Sequence, residues 1–288
     1  RSNKATPHHI REALKDKSPM VAARAAGNEN IEEPELKRAR KHPEPEVRAA
    51  AFRNPNTPQK YVQDGLKDED ENVRRAAMSN TNATEDDINA GLEDRHMKKE
   101  EKSDRVAQSA AMNPNATSAN LHKAFDHPSH SVRESALWNH NIDKEHIHRA
   151  HNDPNEMVRY KALKLHHWST TPEHLNKEIT SKSPLLSGEA LKHPNINGDN
   201  LRTAYNLNKA GWSSKANILS HPKAPADILK DTLLNQYKDQ KDRTIAASHP
   251  NTSSEDLRAL IHTPAGEYVH SSIEDAAKKN LRSRNEGW

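Results

Sequence analysis

The chain has 288 residues, with 44 Lys and Arg against 41 Asp and Glu, a formal net charge of +3 and a pI near 8.9. That balance excludes the strongly basic composition of a dedicated nucleic-acid binder. The absence of cysteine excludes disulfides, thiolate nucleophiles and Cys-ligated zinc or iron–sulfur centres. Only 32% of residues are hydrophobic and the mean hydropathy is −1.11, a composition that by itself leans toward disorder. No run approaches the ~20 apolar residues of a membrane span. No signal peptide is visible and the first residue is Arg, so a processed start or a segment of a larger protein is expected, with a cytoplasmic location or one inside an intracellularly assembled particle.

The predicted elements recur along the chain. A capping or small residue is followed four places later by a lone large one: Thr6/Ile10, Glu32/Leu36, Thr57/Tyr61, Thr84/Ile88, Thr117/Leu121, Asp143/Ile147, Thr171/Leu175, Asn197/Leu201, Ala224/Ile228 and Ser253/Leu257. The starts lie about 27 residues apart, and a period of that size predicts a stack of supersecondary units. Such a stack needs only a thin core between neighbours, so it folds on a meagre apolar fraction.

Residues 54–80 show the unit. Asn54 is expected to close the preceding helix in the left-handed conformation, and Pro55 forbids continuation. Thr57 is a candidate N-cap with Pro58 at the first helical position, opening a short helix that buries Tyr61, Val62 and Leu66. Asp68, Glu69 and Asp70 make the turn and place negative charge at the next helix N-terminus, where the dipole favours it. The second helix carries Val73, Ala76 and Ala77 at helical spacing. One phase of that helix reads Ala25, Ala51, Ala77, Ala110, Ala136, Ala162, Ala190 and Ala246, with Ile218 the large exception. A small residue held at one phase predicts close helix–helix approach between units.

Further along, residues 93–104 form a charged insertion within the fourth unit. The pattern loosens from about residue 181 and is weakest over 206–220, which contains Gly211, Trp212 and Ser213. After His262-Thr263-Pro264-Ala265-Gly266, the amphipathic stretch 268–282 reads as a terminal cap with a polar outer face. The expected organisation is a solenoid over 1–262 and a capping helix and tail over 263–288.

The Asp-x4-Val-Arg signature of Asp68…Val73-Arg74 and Asp153…Val158-Arg159 resembles the second helix of HEAT repeats. The short period and the Asn-Pro-Asn-x-Thr join resemble the leucine-rich repeat variant family. The resemblance implies an all-α fold: a right-handed α-solenoid of about ten two-helix repeats, α plus short α or 3-10. It also implies binding of a protein partner, with DNA as the partner of some HEAT-like relatives.

One position after the residue that opens the second helix stand Arg48, Arg74, Arg133, Arg159, Lys215 and Arg243. In a solenoid one phase becomes one stripe, so these six are the candidate partner or polyanion contacts. The competing and preferred reading pairs them with Asp16, Asp68, Glu101 and Asp153 in a ladder between units. His140, His146, His148, His151, His166, His167 and His174 crowd one region, and His148/His151 have a spacing that can share a metal. No HExxH accompanies them, so surface and capping roles are expected, as at His193, His221 and His249, where Asn stands in other units. No metal or cofactor is expected. Trp138 and Trp168 are expected to pack between repeats, and Trp288 to be free or held by a partner. No GxSxG, P-loop or GxGxxG is present, and the chain is read as a non-enzyme. The reading is a scaffold that binds a protein or packs in a larger assembly such as a virion; the alternative is a nucleic-acid-binding solenoid using the Arg/Lys stripe.

Overall fold

A computed structural model describes residues 5–94, 104–207, 215–263 and 269–287. Residues 95–103 of the charged insertion, with Glu101, lie outside the described residues, as do Gly211, Trp212, Ser213, Pro264, Ala265, Gly266, Tyr268 and Trp288. Everything described is helix, turn or irregular chain, with no strand among the described residues. The chain divides into two compact units, 1–162 and 163–288.

The first unit contains α1 (Pro7–Ala13), α2 (Pro19–Ala26), α3 (Glu33–Ala39), α4 (Pro45–Arg53), a 3-10 turn Gln59–Tyr61 running into α5 (Val62–Leu66), α6 (Glu71–Met78), α7 (Glu85–Leu92), α8 (Arg105–Ala111), α9 (Ser118–Asp126), α10 (His130–Ala136), α11 (Lys144–His151) and most of α12 (Glu156–Leu165). The second contains a 3-10 turn His167–Ser169, α13 (Pro172–Thr180), α14 (Pro184–Lys192), α15 (Gly198–Leu207), α16 (Lys215–Leu219), α17 (Ala226–Leu234), α18 (Gln240–Ser248), α19 (Ser254–Ile261) and α20 (Ser271–Ser283). Like packs on like. In the first unit α2, α4, α6, α8 and α10 contact in succession, as do α5, α7, α9 and α11; in the second, α13 meets α15, α17 meets α19, and α16, α18 and α20 follow one another. Each unit is a helical-repeat α-solenoid.

The alanine phase lies where the helices approach. Ala51, Ala77, Ala110, Ala136, Ala162, Ala190 and Ala246 are all fully buried. At one junction a Cβ placed on Gly65 would stand 2.6 Å from the Ala77 Cβ and 2.7 Å from Phe52 Cδ1. Ala77→Leu is therefore expected to lower stability by roughly 1–3 kcal/mol through overpacking. Urea titration checks this, and a midpoint equal to the parent's would refute the close-approach account.

Two local expectations are corrected. Asn54 is extended (φ −64°, ψ 130°), and Asn285 is the positive-φ non-glycine residue among the described ones, so the closing asparagines do not adopt the left-handed conformation. Their side chains are used across the junction instead. Asn54 Nδ2 donates to the carbonyls of Ala26 and Asn28 at 2.8 and 2.9 Å, Asn80 to those of Phe52 and Asn54, Asn113 to those of Met78 and Asn80, and Asn139 to those of Ala111 and Asn113. The last carbonyls of a helix lack intrahelical partners. Helices α2, α4, α6 and α8 are thus each capped by the asparagine of the next repeat. The Oδ1 atom meanwhile accepts the N–H two residues on, as Asn54 does from Asn56. Two residues further along runs a second ladder: Asn82 to Pro55 and Thr57 carbonyls, Asn115 to Thr81 and Ala83, Asn141 to Pro114 and Ala116. In the second unit Asn280 of α20 donates to the Ala247 and His249 carbonyls, which puts α20 in the register of a second helix.

The other correction is one of register. Thr57 is buried and donates its hydroxyl back to the Ala51 carbonyl at 2.6 Å, so Pro58 precedes the 3-10 turn and Val62, not the half-buried Tyr61, fills the core place. The ninth repeat shows the same offset, with Pro225 as N-cap and Leu229 fully buried. A proline at the cap shifts the first helix by one residue relative to repeats capped by Thr6, Thr84 or Thr117.

Candidate binding surface

The basic stripe is drawn into the repeat junctions. Arg48 Nε and an η nitrogen pair both oxygens of Asp68 at 2.8 and 2.9 Å, and its other η nitrogen donates to the His42 and Pro43 carbonyls. Arg74 repeats this with Asp94 at 3.1 Å and the carbonyls of Asp68 and Glu69. Arg133 grips Asp153 at 2.6 and 2.9 Å and the carbonyls of His127 and Pro128. Arg159 donates to the Asp153 and Pro154 carbonyls. Arg243 is buried, with Nε on the Leu233 carbonyl at 3.0 Å; burial lowers its pKa from the usual guanidinium value. Lys215 Nζ stands 5.3 Å above the Tyr205 ring. The acid partner in the fourth repeat is Asp94, at the start of the insertion, where the sequence pattern suggested Glu101. Burial pushes the Asp68 carboxyl up, but hydrogen bonds from Arg48 and from the Asp70 N–H outweigh it and hold the group below its usual value.

The tryptophans overturn the packing expectation. Trp138 and Trp168 are each 58% exposed. Trp138 directly precedes the closing Asn139, a place held one repeat earlier by Met112, itself exposed. Lys161 Nζ lies 5.9 Å over the Trp138 ring. Trp168, in the second unit, meets the His166 ring edge-on at 6.3 Å. Five occupants of the Trp138 place in other repeats (Arg53, Ser79, Lys192, Ser220, Ser248) are polar, against Gly27, Met112 and Leu165, and that majority was the signal in the sequence for an outward side chain.

The histidines divide. His146 and His151 are fully buried, so neither is a surface residue, although His146 has the capping role that was expected; His148 is exposed, so the i, i+3 pair His148/His151 does not present one face. His146 closes the α11 capping box with Asp143, and its Nε2 lies 3.3 Å from the Ser118 carbonyl. Among the described residues no group of three or more His, Asp or Glu is placed to hold a metal ion. No described helix is long and apolar enough to cross a membrane.

No protein-family model matches the sequence, and no curated protein matches it. Among solved structures, a leucine-rich repeat variant with a novel repetitive structural motif is similar over 93% of this chain and 88% of that one, at 17% identity and a TM-score of 0.50. An engineered protein is matched over 97% of this chain and 98% of its own, at 13% identity and a TM-score of 0.30, too low to support an argument. Stacked two-helix repeats joined by asparagine ladders, with that structural likeness, make the chain an α-helical repeat protein with a fold similar to the leucine-rich repeat variant.

Proposed function

We propose that the chain is a non-catalytic scaffold that holds a protein partner or packs as a component of a larger assembly, and that the contact in the first unit centres on Trp138 and Met112. The observation that carries this reading is the contrast between the two classes of side chain. The arginines of the stripe are engaged with carboxylates and carbonyls inside the junctions, whereas a tryptophan and a methionine at one repeat position stand in solvent. Large aromatic side chains are the usual anchors of protein interfaces.

The test is affinity capture from the native host with the parent and with Trp138→Ala, analysing bound protein and nucleic acid together. The expected result is a protein retained by the parent and lost with Trp138→Ala, and retained as salt rises from about 0.05 to about 0.2 M. Captured nucleic acid with a steep loss over that range would favour the polyanion reading of Arg48, Arg74, Arg133, Arg159, Lys215 and Arg243 instead.

A further inference from the structure

The junctions of the first unit obey a rule of exchange. One residue in the turn between a repeat's two helices stands twenty places after the arginine place of the repeat before it. It is an aspartate where that place holds arginine: Asp68 after Arg48, Asp94 after Arg74 and Asp153 after Arg133, each pair joined by a hydrogen bond. It is a histidine where that place holds alanine: His42 after Ala22 and His127 after Ala107. Either residue type shapes the turn. His42 and His127 accept the N–H two residues on through Nδ1 at 3.1 Å, as Asp68 and Asp153 do through Oδ1. The carboxylate therefore answers the arginine, through a charge-assisted pair, and is not needed for the turn.

Asp16 holds this place in the first repeat. Its Oδ1 accepts the Ser18 N–H at 2.8 Å, a duty that histidine performs in other repeats. Yet the side chain is exposed and no cation pairs with it among the described residues. Two further groups of the first repeat stand open in the same way. Val21 is 38% exposed, whereas Val47, Val73, Val106, Val132 and Val158 are each 2% exposed or less. Asn28 Oδ1 accepts the Asn30 N–H, but its Nδ2 makes no hydrogen bond among the described residues, whereas Asn54, Asn80, Asn113 and Asn139 each spend theirs on the end of the preceding helix. Val21, with Ala5, Ile10, Met20 and Ala25, lines an open concavity of about 1610 Å3.

We infer that this face of the first repeat docks the end of a partner protein's helical repeat: a helix that covers Val21 with an apolar side, presents its last carbonyls to Asn28 Nδ2 and brings an arginine to Asp16. Those are the terms on which α4 meets the third repeat, where α4 packs on α6, the Phe52 and Asn54 carbonyls take Asn80, and Arg48 takes Asp68. The last carbonyls of a helix have no partner within it, so a helix end carries acceptors that an open Asn28 can satisfy. A second copy adding its own last helix does not meet these terms. In α20, whose register Asn280 marks, the arginine place holds Glu274, which would be set against Asp16. The inference stands on the junction rule and does not rest on the role of Trp138.

The probe is a synthetic peptide of residues 44–56, which spans α4, held helical by a lactam from Glu46 to a lysine introduced as Ala50→Lys. The bridge lies on the side of α4 turned to the first repeat, since Ala50 packs on the cluster that includes Ile10 and Ala22, and Glu46 borders the concavity. Arg48 and the helix end stay free. Fluorescence anisotropy of the labelled peptide against the full chain is expected to show saturable binding. Asp16→Asn, which keeps an oxygen for the Ser18 N–H, and Arg48→Ala in the peptide should each weaken it about tenfold or more. Val21→Asp should abolish it, and Trp138→Ala should leave it unchanged, so the two surfaces are read separately. No saturable binding to the folded parent, or unchanged affinity in Asp16→Asn, would overturn the inference. So would a parent that dimerises in sedimentation and becomes monomeric with Val21→Asp, because a second copy would then cover the face.

Discussion

Arg133→Ala is expected to lower stability by roughly 3–5 kcal/mol, the cost of leaving a buried charge without its partner. The Arg133 and Asp153 side chains are only 10% and 5% exposed, and the pair is bidentate. Truncation strands the Asp153 carboxylate and also removes the donor to the His127 and Pro128 carbonyls. Asp153 has a second duty: its Oδ1 accepts the Asn155 N–H, which shapes the turn before α12. The damage should therefore spread from the α10 junction into the α12 entry. Urea titration gives the size, and amide exchange gives the place. The double variant Arg133→Met, Asp153→Leu separates charge from packing. Removing both charges should recover a large part of the loss, because desolvating two ions offsets most of what their attraction returns. A single variant that melts like the parent would mean that the ladder is solvated in solution, and the stripe would again be open to a polyanion.

The architecture was legible because it depends on phase alone. Ala77 and its equivalents, Val73 and its equivalents, and the Asn-Pro joins each recur at one position, and stacking converts a recurring position into a continuous contact. An aspartate–arginine ladder between units was legible for the same reason; which arginine meets which acid, Arg48 with Asp68 and Arg133 with Asp153, came from the structure. What escaped was set by single residues. Whether Thr57 or Pro58 is the cap depends on whether a threonine hydroxyl turns outward to the helix or back to the Ala51 carbonyl, and no periodicity encodes that choice. Trp138 lies beside the fully buried Leu137, so an error of one residue moves a ring from the junction to solvent. The closing asparagines were read through their backbone, as left-handed C-caps, whereas their role lies in side chains reaching carbonyls 26 and 28 residues upstream. That reach exists only once repeats are stacked.

Acid is expected to loosen the second unit between about pH 6.5 and pH 4, and three histidines are the cause. His193, His221 and His249 stand at the closing position and act there as asparagine substitutes. Each Nδ1 accepts the N–H two residues on, from Asn195, Lys223 and Asn251, at 3.1, 3.0 and 3.0 Å. For His249 the other ring nitrogen reaches the His221 carbonyl at 3.0 Å, the contact that Asn139 makes through Nδ2 in the first unit. An Nδ1 that accepts a backbone N–H must be unprotonated, so the native fold selects the neutral ring. Desolvation, with the nearby His167 charge, pushes His193 down to about 4; desolvation, with Lys223, lowers His221; desolvation, partly offset by the His221 carbonyl, lowers His249. The unfolded chain takes up protons below about pH 6.5 while the native unit resists, so stability is complete above that pH and falls as pH drops toward the native values. His193 alone is worth on the order of 3 kcal/mol over that window. The triple variant His193→Asn, His221→Asn, His249→Asn keeps an acceptor and a donor at each place and removes the titration. It should match the parent within about 1 kcal/mol at pH 7.5, and its unfolding midpoint at pH 5 should exceed the parent's. Equal slopes of midpoint against pH in the two proteins would show that these rings titrate freely and do not share the ladder's geometry.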